Sequence, residues 1–250
     1  MNGELDYWRN QLADLPALEL PTDRPHMPSR FTEVATVAFR VPTQTAQRLR
    51  MLADEHGTTL PVTLLAALSV LIGRYAGSDD VAVVAGIEDA ALATGRSGVT
   101  VQRADLSGEP SFAELLGRMR RGDAVEGAAV DAGRGVLSEE VLGALATERT
   151  DSRSPLFQVY FGYAGPESDG YRLSGVLESE FELAVRIGDS SEGLVGEVQY
   201  STGLFDAATV GRLAGHLVTL LEAVAADAGQ RVGDLPVLSA GEREQLVEGW

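Results

Sequence analysis

The 250-residue sequence has no cysteine, only three histidines, and no long uninterrupted apolar run. Without cysteine there is no disulfide framework, no thiolate nucleophile and no Cys-based zinc site. The longest apolar stretch, Leu60 to Ile72, is broken by Pro61, Thr63 and Ser69. It falls short of the ~20 apolar residues of a spanning helix and predicts a core helix instead. The N-terminus lacks a basic segment followed by an apolar one, so no secretory signal is read and the cytoplasm is the expected location. Basic residues are scarce: 20 Lys and Arg against 37 Asp and Glu give a formal net charge of −17. Nucleic acid and anionic membranes both require a basic footprint, so neither is an expected partner. The acids are scattered rather than blocked, as on an ordinary soluble surface.

Visible active-site chemistry is equally sparse. His26 lies in a proline-rich stretch, His56 stands just before Gly57 at a helix end, and His216 falls with Arg212 and Thr219 on the expected polar side of a helix. None has a second histidine or an aspartate at motif spacing. Ser152 and Ser154 lack a nucleophile elbow, and Pro155 forces Ser154 out of the helical region, which predicts a turn. No glycine cluster matches a phosphate loop or dinucleotide fingerprint. Asp79 and Asp80 are adjacent, hence poorly placed to share a metal, and read as a turn. No catalytic, metal-binding or cofactor-binding residue is predicted.

What is present is a regular alternation of elements. Thr36 to Val41 reads as a strand, followed by a helix capped by Thr43 and stopped by Gly57. A second helix begins near Thr59 and Leu60, with Pro61 tolerated in its first turn. Val81 to Ile87 is an apolar run of strand length, and Val99 to Arg103 a second short strand. Ser111 and Glu114 form a capping box before a stripe of Phe112, Leu115, Leu116 and Met119. Arg120 to Gly135 reads as a loop, Ser138 to Ala146 as a helix, and Phe157 to Ala164 as a strand. Phe181, Leu183, Val185 and Ile187 alternate as one buried sheet face requires, and a GDSSEG turn predicts a hairpin with the strand ending EVQYS. Asp206 is the expected cap of the last long helix, with Val210, Leu213, Ala214, Leu217, Leu220, Leu221 and Val224 on its apolar face. Ser239 and Glu242 form another capping box. The pattern predicts an α/β layered sandwich, a mixed β-sheet packed by helices.

Six segments, in order, resemble the C-terminal lobe of the condensation domains of nonribosomal peptide synthetases. They are YWRNQLADLPALELPTDRP, LRMLADEHGTTLPVTLLAALSVLIGRYAGSDDVAVVAGI, RADLSGEPSFAELLGRM, ERTDSRSPLFQVYF, GLVGEVQYSTGLFDAATVGRLAGHLVTLLEAV and DLPVLSAGEREQLVEGW. The resemblance implies one lobe of a chloramphenicol acetyltransferase-like, CoA-dependent acyltransferase fold. It divides the chain into an interlobe-type linker with a short helix (1–30), the C-terminal lobe (31–230) and a connector toward an adenylation domain (231–250). The family's catalytic HHxxxDG motif belongs to its N-terminal lobe. This chain contains no His-His pair and starts about where the family crosses between lobes, so a truncated domain is expected.

Other family motifs survive as fragments. RSGVTVQR retains Arg103 but carries Gly98 and Val99 at the Asn-Thr positions of a FFVNTLVLR-type signature. GRGVLSE retains Glu139 but has Gly133 and Gly135 where an HQDLPFE-type signature has His and Asp. An FDL-type signature reads Phe181-Glu182-Leu183. Replacing His by Gly removes acid–base and hydrogen-bonding capacity. The resemblance therefore implies a non-catalytic platform at the front of a synthetase module, packing against an adenylation or other synthetase domain. Tyr7, Trp8, Leu235, Val237, Leu238 and Trp250 are its candidate partner interface. One alternative is a recruitment module for a tailoring enzyme or accessory protein. Another is half of an amide-forming acyltransferase completed by a separate N-terminal lobe. No cofactor is expected to bind directly, and phosphopantetheine-carrier substrates enter only if the chain works in an active synthetase.

Overall fold

The computed structural model describes residues 18–26, 33–88, 100–120, 158–166, 181–190 and 193–248. Its centre is one six-stranded sheet. The strands are β1 (Val34–Val41), β2 (Asp80–Glu88), β3 (Thr100–Asp105), β4 (Val159–Ala164), β5 (Leu183–Ser190) and β6 (Gly193–Ser201), standing in the order β1-β6-β5-β4-β2-β3. β4 runs parallel to both β2 and β5, and every other neighbouring pair is antiparallel. The expected mixed sheet is therefore present, and the expected hairpin is β5–β6.

Four helices build the core with one face of this sheet: α1 (Thr43–Glu55), α2 (Leu60–Ala76), α3 (residues 112–120) and α4 (Ala207–Ala226). α2 is buried from Leu60 through Gly73, which explains why its sequence shows no polar stripe until Arg74. Gly77, in the left-handed conformation, ends it as a residue without Cβ does at no steric cost. α4 is long and apolar enough by composition to cross a bilayer. Its apolar row is instead spent on the sheet: Val210, Leu213, Leu217, Leu220, Leu221 and Val224 are all buried in the core cluster.

Local signals account for most boundaries. Both capping boxes form: Ser111 N–H donates to Glu114 Oε2 (2.8 Å) and Glu114 N–H to Ser111 Oγ (3.2 Å), with the same reciprocal pair at Ser239 and Glu242. Two expected caps are corrected. Thr43 is the first helical residue of α1 and Pro42 occupies the cap position. Asp206 holds the cap position of α4, but its carboxylate makes no capping bond. Asp80 is not a turn residue but the first residue of β2, in register with Asp105.

Candidate functional site: the second face of the sheet and its straps

The strand alternation predicts one buried face for β5, but both faces are buried. Leu183, Val185 and Ile187 enter the core, while Ala184 and Arg186 point to the opposite side, where Ala82, Val84, Val101 and Tyr160 are also buried. Polar side chains share this second face: Gln158, Glu182, Arg186, Gln199 and Ser201 are each less than 9% exposed. Register places them in cross-strand rows. One runs Gln158, Glu182, Ser201; the next Tyr160, Ala184, Gln199, Thr36; the third Gly162, Arg186, Glu197, Ala38. Buried polar groups require partners. Arg186 Nη1 donates to Glu197 Oε1 at 3.0 Å across the β5–β6 hairpin.

The first row anchors an extended segment. Leu18 N–H donates to Gln158 Oε1 (3.3 Å), and Nε2 of His26 donates to Glu182 Oε1 (2.9 Å). Between them, Leu18 and Leu20 are buried in the core, and the backbone N–H groups of Asp23 and Arg24 donate to Leu204 O. Asp23 does the capping expected of Asp206: its carboxylate accepts from Asp206 N–H (2.8 Å) and from Thr209 Oγ1 (2.9 Å). Those bonds, the backbone one foremost, hold its pKa below the usual carboxylate value. Arg24 binds Thr202 O and the freed Asp206 carboxylate. Residues 18–26 are thus a strap laid on the lobe, stitched to the residues just before β4 and β5 and to the start of α4.

A second strap follows α4. Phe112 and Ala113 N–H donate to Gln230 O and Ala228 O, and Val232 N–H donates to Pro110 O. The Arg74 guanidinium, at the end of α2, donates to Leu235 O (2.5 Å) and to Val232 O. Its burial pushes its pKa down, the direction desolvation gives any cation. The segment then enters α5 (Ala240–Glu248), whose Glu242 binds His216.

These contacts relocate several predicted residues. Arg103 lies on the second face of edge strand β3 and donates through Nε to Asp80 Oδ1 (2.7 Å), with a parallel bond from Nη2 to Oδ2, forming a forked β2–β3 clamp. Phe181 stacks at a tilt on Tyr160 with ring centroids 5.3 Å apart. Glu182 is the most buried carboxylate described, at 1% exposure. Leu235 is corrected as an interface residue: at 2% exposure it belongs to this chain's own core, with Val237 packed against it. Leu238 is half-buried. His216 is also corrected, being buried rather than on a polar face. Tyr7, Trp8, Gly98, Val99, Gly133, Gly135, Glu139 and Trp250 lie outside the described residues, as do the expected helix at 138–146 and the expected loop from 120 to 135 apart from Arg120, which is not loop but the last residue of α3. Among the described residues, no group of three or more His, Asp or Glu side chains forms a metal-binding cluster.

The sheet order, the helices on one face and the partly polar second face define one lobe of a chloramphenicol acetyltransferase-like fold. The family model described as "Condensation domain" matches residues 1–247, and the chain belongs to that family. Its relatives are nonribosomal peptide synthetases. The chain is 35% identical over 270 residues to a component of the linear gramicidin synthase of Brevibacillus parabrevis, covering 100% of this chain and 5% of that protein. It is 33% identical over 263 residues to chondramide synthase of Chondromyces crocatus, covering 98% of this chain and 7% of that protein. It therefore spans a small fraction of the relatives it matches. Among solved structures it resembles the complex of the X-domain and OxyB from teicoplanin biosynthesis. That match has a TM-score of 0.76 at 26% identity, covering 95% of this chain and 56% of that one.

Proposed function

We propose that this chain is a docking platform of a peptide synthetase, a condensation-type lobe that forms no amide bond by itself and holds an adenylation domain through residues 231–250. The observation carrying this reading is the second strap. Arg74 binds two of its carbonyls, Leu235 enters the core, and Glu242 is tied to α4, so whatever packs on this segment is referenced to the whole lobe. The non-catalytic part rests on the histidines: His26 is engaged with Glu182, His216 with Tyr75 and Glu242, and His56 ends α1. The glycine and valine at motif positions 98, 99, 133 and 135 support the same conclusion. A titration of the full chain with an adenylation domain of the same biosynthetic system tests the platform. A saturable complex, weakened about 10-fold or more by Arg74→Ala, is expected; no complex with the wild-type chain refutes it. In parallel, carrier-bound donor and acceptor substrates should yield no amide by mass spectrometry, with or without a separately supplied N-terminal lobe. An amide product would restore the acyltransferase reading.

A second reading, recruitment of a tailoring enzyme, is favoured by the likeness to an X-domain solved with OxyB. Titration with a tailoring enzyme of the same system separates the two, since only this reading expects a complex there.

A further inference from the structure

The segment after α4 is held in two physically different ways. Through Leu235 it is packed: Val232 and Leu235 are buried, and backbone bonds tie it to residues 110–113. From Ser239 onward the described side-chain contacts are polar: Arg243 Nε donates locally to Leu238 O (3.2 Å), and the contact reaching α4 is made by one carboxylate. Glu242 Oε2 accepts from Ser239 N–H (2.8 Å) and Oγ (2.7 Å), while Oε1 accepts from Nε2 of His216 at 3.1 Å. Residues 241 and 243–245 of α5 are exposed, apart from a half-buried Glu242.

The histidine is the hub. It sits on α4, is 8% exposed, and its Nδ1 lies 2.7 Å from Tyr75 Oη on α2. The Ser239 hydroxyl and N–H, then His216, hold the Glu242 carboxyl down to about 2, so it is ionised and only accepts. Nε2 must then carry the proton shared with Glu242, while Nδ1 is hydrogen-bonded to the tyrosine hydroxyl. Burial of that hydroxyl pushes the Tyr75 pKa up, which keeps it a donor. Both edges of the imidazole are therefore fixed, and its orientation with them.

We propose that Tyr75, His216 and Glu242 form a polar latch that seats α5 on the lobe, so that the helix is released as a unit while the packed segment through Leu235 stays in place. His216 is the positioning residue of this latch. The consequence for a bound domain, one fixed orientation when the latch is closed, rests on the platform reading above; the latch itself does not.

Hydrogen exchange of the full chain tests it, using wild type, His216→Ala, His216→Gln, Tyr75→Phe and, as a control, Arg243→Ala. His216→Ala should speed amide exchange in 240–248 by about 10-fold, leaving 210–224 and 183–190 unchanged. Tyr75→Phe should speed it by about 3-fold, since the ring keeps one of its two contacts. His216→Gln, which can present an N–H to Glu242, should recover most of the protection, and Arg243→Ala should change little. Should His216→Ala fail to fold, the Tyr75→Phe result decides. Unchanged exchange of 240–248 in Tyr75→Phe, and in His216→Ala where it folds, overturns the latch. So does a loss spread equally along α4, or a wild-type α5 exchanging at unfolded-chain rates. An adenylation domain that never binds the wild type refutes the platform and leaves the exchange result standing; unchanged exchange refutes the latch whether or not a domain binds.

Discussion

Gly196, in the middle of β6, offers a sharp test of how this sheet is packed. It stands directly opposite Phe39 of β1, and the Phe39 ring lies over it. A Cβ built at Gly196 would stand 2.2, 2.5 and 2.6 Å from three ring carbons, against the ~3.5–4.0 Å at which carbon atoms rest. The ring must therefore retreat by more than an ångström, yet it belongs to the core cluster and is only 9% exposed. Overpacking of this kind costs about 1–3 kcal/mol, and three simultaneous collisions place Gly196→Ala toward the top of that range. In the Phe39→Ala background the obstacle is gone. There the same change should be neutral or stabilising by about 0.5–1 kcal/mol, because alanine loses less backbone entropy than glycine in a strand. The coupling between the two substitutions should then be about 2–4 kcal/mol, well beyond the scatter of independent sites. Urea denaturation of the four proteins measures it directly. A Gly196→Ala cost below about 0.5 kcal/mol, or an equal cost in both backgrounds, would refute the assignment of Phe39 as the filler of this glycine's space.

Two further predictions concern the straps. Because Asp23 rather than Asp206 caps α4, Asp23→Ala should lower Tm more than Asp206→Ala does; the reverse order in thermal scans would contradict the capping geometry. Glu242 has a folded pKa of about 2 against 4.5 for the free side chain, so its contribution is present above pH 4.5 and fades as pH falls toward about 2. Asp23, also lowered, acts with the same sign, and acid titration followed by exchange of 240–248 should show the Glu242 part missing in Glu242→Gln.

The parts of the fold written in near-neighbour patterns were legible. The α4 stripe, both capping boxes, the β5–β6 hairpin and the apolar run of α2 all follow from spacing of a few residues. What escaped was decided by groups far apart in the chain. Asp23 reaches a helix starting more than 180 residues later, and nothing local to DLPALELPTDRPH marks it as a cap. Asp206 looked like the cap because its type and place were right, but Arg24 takes its carboxylate. His216 lies beside Leu217 on α4 and read as surface, because helical periodicity cannot foresee that α5 and Tyr75 would cover it. The alternation in β5 was real, and only its meaning was wrong: Arg186, at the alternate position, is itself 7% exposed.

That last difference bears on function. A sheet with one solvated face carries charges on it without consequence, but burial of Glu182 and Arg186 makes their pairing with His26 and Glu197 a condition of the fold. Removing one partner of such a pair is more damaging than replacing both, since the remaining charge stays buried without that partner. The strap is thereby bound to the sheet through an interaction specific to its own histidine and not through apolar burial alone. Substitutions at His26 should accordingly loosen residues 18–26 without disturbing the Arg74 anchor of the other strap, which draws on a different set of carbonyls on the α2 side of the lobe. Hydrogen exchange read separately over 18–26 and 228–237 checks this, and loosening of both segments together would contradict it. The two straps thus attach to the lobe through separate partners, Gln158 and Glu182 for the first and Arg74 for the second.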